Sequence, residues 1–262
     1  NGRVGRLLIT LSLCARSVLP EPLLYLSAFF EATRADYYDS LRGVTEKGDW
    51  EFTVGANRYK AFETIWSVEE DNGTITLPME GDGYYYSIDW GDGTQEVALT
   101  RYANHSYGSA GEYTVSVSGY FPSFLFKNTG DKDKILDIRQ WGDMRWNSMD
   151  SAFYGCSKLN ISADDAPHLD QVKSMNSMFR EATAFNSDIG DWDVTRATDM
   201  AYIFEGATAF NQNIDDWRPV AVTDMRCMFK GATAFNQPVN SWSVRNAENM
   251  AEMFKEASSF NQ

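Results

Sequence analysis

The sequence predicts a multidomain chain, an all-β sandwich followed by an α/β solenoid of 25-residue repeats. Three observations carry that expectation. Met175, Met200, Met225 and Met250 fall 25 residues apart. Tyr84, Tyr86, Ile88 and Trp90 alternate with Tyr85, Ser87 and Asp89, which is the period of a half-buried strand. The two patterns also keep to separate stretches, the alternation within 58–127 and the repeat within 131–262.

The repeat has seven columns in register. The Met column is followed by Phe179, Phe204, Phe229 and Phe254, and then by Ala182, Ala207, Ala232 and Ala257. Next come Phe185, Phe210, Phe235 and Phe260, each followed by an asparagine: Asn186, Asn211, Asn236 and Asn261. Ile189, Ile214 and Val239, then Trp192, Trp217 and Trp242, complete the unit. A worn copy precedes these, with Ile138, Trp141, Met149, Phe153, Cys156, Leu159 and Asn160 in matching columns and Pro167 in the Trp column. Thr198-Asp199 reads as a helix N-cap, and Met200, Ile203, Phe204 and Ala207 share one helical face. Gly206 suits a helix end, so a short helix is expected over 199–206. The stretch from Phe210 to Trp217 reads as an extended segment or short strand, closed by a turn at Arg218-Pro219. Such a unit buries its apolar side only against stacked neighbours, with Met200, Phe204, Phe210, Ile214 and Trp217 pointing inward.

The runs "MFREATAFNSDIGDWDVTRATDM", "IFEGATAFNQNIDDWRPVAVTDM" and "MFKGATAFNQPVNSWSVRNAENM" resemble the repeat of BspA-type leucine-rich-repeat surface proteins. "DKDKILDIRQWGDMRWNSMDSAFYGC" resembles the opening turns of such arrays. The resemblance implies a leucine-rich-repeat-like coil, exported and displayed on a cell surface, in a family linked to adhesion and to host or matrix contact.

Within 58–127, the runs from Phe62 to Val68 and from Thr74 to Leu77 are further strand candidates. Gly91-Asp92-Gly93-Thr94 supplies a tight turn, and Tyr113, Val115 and Val117 alternate with Thr114, Ser116 and Ser118. "IDWGDGT" and "HSYGSAGEYTVSVSG" resemble the signature of PKD domains, an Ig-like sandwich of extracellular proteins, with Trp90 where that family more often has Phe. Residues 120–130 read as the hand-over to the repeats.

Residues 1–57 match no named pattern and form an unassigned leader. Arg3 and Arg6 before the apolar run from Leu7 to Leu13 are arranged as in a targeting segment; the competing reading is a short helical or disordered leader or linker. Arg16, Pro20 and Pro22 break the stretch short of the ~20 residues of a membrane helix. The missing initial Met and a last repeat that stops at Gln262 read as a fragment, truncated at its C-terminus and exposing Met253, Phe254 and Phe260.

A net charge of -14 makes nucleic acid and anionic membranes poor partners. Cys14, Cys156 and Cys227 have neither metal-ligand nor redox spacing; Cys156 is expected to be buried and Cys227 exposed. No nucleophile elbow, zinc-protease helix or phosphate-binding loop appears, so no catalytic, cofactor-binding or metal residue is assigned. Asp82, Asp89 and Asp92 beside the Gly-rich turn raise calcium as the one ion to weigh, against plain turn chemistry. His105 and His168 stand far apart, and His105 reads as a structural hydrogen-bonding residue. The Trp column suits either sugar stacking or an internal ladder, and the ladder is preferred. The Asn column reads as a side-chain ladder that satisfies backbone groups. The variable polar positions between columns remain as a ligand face: Asp188 and Asp191, then Gln212, Asn213, Asp215 and Asp216, then Gln237 and Asn240. The expected function is a non-enzymatic, extracellular, cell-surface adhesion module that recognises a protein or glycan; the alternative is a structural spacer that displays other domains.

Overall fold

The computed structural model describes residues 60–262, so the leader expected over 1–57, with Cys14, lies outside the described residues. The described residues belong to one compact unit. The strands are β1 (Phe62–Val68), β2 (Thr74–Thr76), β3 (Tyr85–Asp89), β4 (Gln95–Leu99), β5 (Asn104–Ser106), β6 (Gly111–Tyr120), β7 (Ile135–Gln140) and β8 (Asn160–Ile161). They make a six-stranded sheet in the order β4-β3-β6-β1-β7-β8 and a two-stranded β2-β5 sheet. Every pairing is antiparallel except β7 with β8.

Alternation decides which side chains fill the sandwich. Tyr84, Tyr86, Ile88 and Trp90 are buried, as are Phe62, Trp66 and Val68 of β1 and Val115 and Val117 of β6. Ile75 and Leu77, on and just after β2, join the same cluster. The turn after β3 needs glycine at Gly91, where φ is +81° and a Cβ would collide with the Thr114 carbonyl oxygen. Asp89 Oδ1 accepts from the Gly91 N–H and Asp92 Oδ1 from the Thr94 N–H, both at 2.9 Å, which closes that turn.

Residues 131–262 depart from the expected α/β leucine-rich-repeat-like solenoid. Among the described residues there is no helix. The segment expected to be helical over 199–206 instead donates alternate N–H groups to the next repeat. Met200, Tyr202, Phe204 and Gly206 donate to the carbonyls of Asp224, Arg226, Met228 and Lys230 at 2.8–3.0 Å. A helix would need those donors for its own i−4 carbonyls. Tyr202 at φ +61° and Gly206 at φ +70° break the helical path into tight turns. The turns still bury Met200, Ile203, Phe204 and Ala207, the set a helical face would bury. Asp199 behaves locally as an N-cap does, its Oδ1 accepting from the Ala201 N–H at 2.9 Å, but no helix follows. The stretch from Phe210 to Trp217 is not a strand either, and the repeats meet in isolated parallel bridges, Ser174 to Asp199, Asp199 to Asp224 and Asp224 to Asn249.

Side chains stack in step with this backbone. Phe153, Phe179, Phe204, Phe229 and Phe254 form one column with centroids 5.3–5.9 Å apart. Phe185, Phe210, Phe235 and Phe260 form a second at 5.8–5.9 Å. The columns touch within each repeat, as at Phe204 and Phe210, 4.0 Å apart. Met200, Phe204, Phe210, Ile214 and Trp217 all point inward.

The sandwich and the repeats share one core. β7, at the start of the repeats, is a strand of the sandwich's sheet beside β1. Phe62 stacks on Trp141 at 5.6 Å and meets Trp146 edge-on at 5.1 Å, while Trp141 meets Trp192 at 5.4 Å. The hand-over segment contributes Phe121, Phe124 and Phe126 to the same core. The indole N–H groups of Trp141 and Trp146 are buried there without a protein acceptor.

Candidate functional site

The polar positions of the repeat tie one coil to the next, close a turn within a coil, or face solvent unengaged. The Asn column ties. The Asn211 N–H donates to Asn186 Oδ1 at 2.8 Å, Asn236 to Asn211 and Asn261 to Asn236 at 2.9 Å. The Trp column ties as well. Trp217 Nε1 donates to the Ile189 carbonyl and Trp242 Nε1 to the Ile214 carbonyl, both at 2.9 Å. Trp192, Trp217 and Trp242 are only 4%, 1% and 9% exposed, so their faces are not open to a sugar ring.

The eight residues of the expected ligand face divide the same way. Gln212 Nε2 donates to the Asn186 carbonyl, and Gln237 Nε2 to Asn211 Oδ1. Asp188 Oδ1 accepts from the Gly190 N–H and Asn213 Oδ1 from the Asp215 N–H, each at 3.0 Å, which makes one turn recur in two successive repeats. Asp215 accepts from the Ser241 N–H at 2.9 Å and from its hydroxyl at 2.8 Å. Asp191, Asp216 and Asn240 remain, exposed and engaged with no other group of the described residues.

The repeats carry two recesses related by the 25-residue period, and Asp191 and Asp216 line the first. The first, about 340 Å³, is lined by Gly190, Asp191, Trp192, Asp193, Val194, Thr195, Asp216 and Arg218. The second, about 260 Å³, is lined by Val220, Ser243, Arg245 and Asn246. Val220 lies 25 residues after Thr195, and Ser243 lies 25 after Arg218, so the recesses occupy corresponding places one coil apart. Asp193 is held below the usual carboxylate range first by the Thr195 hydroxyl, donating at 2.6 Å, then by the Thr195 N–H, with Arg196 and Arg218 adding charge. The expected ligand face did not include Arg218 or Arg245. The signal available for them was their position, one and three residues after a column Trp, on the edge that Asp191 and Asp216 occupy.

A different set of positions is closed by internal pairing. Arg180 lies over the rings of Tyr154 and Tyr202, each at 5.1 Å, and Arg226 over Tyr202 at 5.4 Å. Arg180 meets Glu205 at 2.7 Å, and Lys230 meets Glu252 at 2.8 Å. That hydrogen bond raises the Lys230 pKa and lowers that of Glu252. Cys227, expected to be exposed, is buried beside Glu252, with burial pushing its thiol pKa up. Cys156 is buried, as its small-residue column suggested.

In the sandwich, His105 Nε2 pairs with Asp92 Oδ2 at 2.8 Å, and its ring stacks on Trp90 at 5.1 Å. Asp89 engages Gln95 as well as the Gly91 N–H. The carboxylates weighed for calcium at Asp89 and Asp92 are thus directed at protein donors. Among the described residues, no three His, Cys, Asp or Glu side chains are grouped so as to hold a metal ion. No helix among them is long and apolar enough to cross a membrane.

Residues 62–120 match the PKD domain. The chain belongs to the DUF285 family, described as Mycoplasma protein of unknown function, which matches residues 126–262. The repeat thus finds its match in DUF285, and the BspA-type resemblance of its motifs gains no support from it. No solved structure matches the chain.

Proposed function

We propose that this chain is a non-enzymatic, extracellular or cell-surface binding module that engages a protein or glycan along the edge of the repeats bearing Asp191, Asp216 and Asn240. The supporting observation is the division of polar positions. Gln212, Gln237, Asp188, Asn213 and Asp215 are engaged within the stack, whereas Asp191 and Asp216, 25 residues apart, are held in register by it and, with Asn240, left free. A surface location is supported by the PKD match together with DUF285 membership. The test is to immobilise the full chain and probe it with matrix proteins and glycans, comparing the parent with Asp191→Ser/Asp216→Ser. Binding that weakens in the double variant supports this reading. A parent that binds nothing removes it.

One observation favours a second reading, a structural spacer. The core runs without a break from Phe62 through Trp141 to Trp192, which stiffens the molecule along its length. A spacer tolerates loss of Asp191 and Asp216 with its display role intact; a binding module does not.

A further inference from the structure

We infer that the sandwich is the N-terminal cap of the stack, and that it holds the stack through a concealed first coil beginning at Phe126. The coils bond in one direction. Phe153 and Gly155 donate their N–H groups to the Met178 and Arg180 carbonyls, and Phe179 and Glu181 donate to those of Ile203 and Glu205. Each coil therefore leaves its own carbonyls facing the coil before it, and a stack that simply began at Met149 would leave a row of them without donors. That row is met. The Phe126 N–H donates to the Ala152 carbonyl at 3.3 Å, and the Asn128 N–H to the Tyr154 carbonyl at 3.0 Å. Ala152 and Tyr154 flank Phe153 as Met178 and Arg180 flank Phe179, so Phe126 and Asn128 stand where Phe153 and Gly155 stand one coil later. The turn recurs as well. The Thr129 N–H donates to the Phe126 carbonyl at 2.9 Å, as Cys156 does to Phe153 and Ala182 to Phe179 at 3.1 Å. Asn128, at φ +59°, joins the positive-φ column of Gly155, Glu181, Gly206, Gly231 and Glu256. Phe126 precedes Phe153 by 27 residues, and Phe153 precedes Phe179 by 26, so the 25-residue period alone does not reach this coil. The DUF285 match begins at the same residue.

The concealed coil is fixed from the sandwich side. The Phe126 ring lies 5.8 Å from Trp66 of β1, and the Phe124 ring lies 5.8 Å from Phe153, so aromatic contact runs from strand to coil. The Leu125 N–H donates to the Pro78 carbonyl at 2.9 Å, and the Ser67 N–H of β1 to the Lys134 carbonyl at 2.8 Å. Asp131 accepts from the Thr76 N–H of β2 at 2.7 Å. The sandwich has an apolar centre of its own in Tyr84, Tyr86, Ile88, Val115 and Val117, whereas a coil buries its apolar side only against a neighbour. Dependence is therefore one-way. The early coils need the sandwich, and the sandwich does not need the distant coils.

Amide hydrogen exchange on the full chain reads that asymmetry. Val117→Ala weakens the sandwich at β6, and it is expected to speed exchange at Ser151, Phe153 and Gly155 by about tenfold. Phe229→Ala weakens the stack, and it is expected to speed exchange at Phe204 and Phe229 while β3 and β6 exchange as in the parent. Acceleration by Val117→Ala that stays within residues 62–120 overturns the cap. So does Phe229→Ala if it speeds β6 as much as the coils. The parent alone, in rising urea below its unfolding transition, gives a check that needs no variant. Amides of Ser151, Phe153 and Gly155 should open no later than those of β6. If they stay protected after β6 has opened, the stack stands without the sandwich and the inference fails.

Discussion

Trp217 donates its indole N–H to the carbonyl of Ile189, 28 residues earlier and one coil away. The ring therefore fills the core of one repeat and closes a polar group of its neighbour. Trp217→Ala is expected to cost roughly 3–5 kcal/mol, with hydrogen-exchange protection lost in the adjacent coils as well. Trp217→Phe should still cost about 1 kcal/mol beyond its volume change, because the Ile189 carbonyl keeps only the longer 3.3 Å bond from the Trp192 N–H. Trp146 is equally buried, but its N–H has no protein acceptor. Trp146→Phe is thus expected to be the milder change, and denaturant melts of the two variants check the order.

The Asn column predicts a difference between two substitutions at one site. Asn211 Oδ1 accepts the Asn236 N–H, so Asn211→Ala leaves that N–H unpartnered and should destabilise by about 1 kcal/mol. Asn211→Asp keeps an acceptor there and should melt close to the parent at neutral pH.

Gly206 has φ +70°, and a Cβ there would find only ordinary contacts with Glu181. Gly206→Ala is therefore a test of backbone conformation alone, expected to cost about 1 kcal/mol. Glu181 and Glu256 occupy the same column at φ +55° and +62°, so Glu256→Gly should be neutral or stabilising in the same melts.

The sandwich carries a pH dependence of known sign. The Asp92 pKa is lowered first by the hydrogen bond with His105, and also by the Thr94 donors. A folded pKa below the unfolded one gives a contribution present above the ordinary carboxylate value, about 3.9, and lost as pH falls through the folded value. Melting between pH 6 and pH 3 should show a steeper acid loss in the parent than in Asp92→Asn. Equal slopes would remove Asp92 as a contributor.

The strands with a clean period of two were legible: β1 from its alternation of buried and half-buried side chains, and β3 from its Tyr and Ile positions. β4 was not, because it lies at the sheet's edge and has no buried residue to mark a period. β7 was hidden because Ile135 and Ile138 are spaced by three and Ile138 reads as a repeat column. The helix expected over 199–206 failed for a definite reason. Tight turns with positive φ at Tyr202 bury the i, i+3, i+4 and i+7 positions that a helix buries, and sequence periodicity cannot separate the two. At the site, composition marked the polar positions but could not sort them. The partners that engage Gln212 and Asp215 lie 26 residues away, a relation set only by how the coils stack.

From Asn186 to Asn261 the Asn, Trp and Phe columns repeat the same bonds from one coil to the next. One residue inserted between Phe210 and Phe235 throws both Phe columns and the Asn ladder out of step. Duplicating or deleting a whole unit of 25 residues changes none of these bonds in kind. A change of length by whole units therefore preserves the stack, and a change by a fraction of a unit interrupts it.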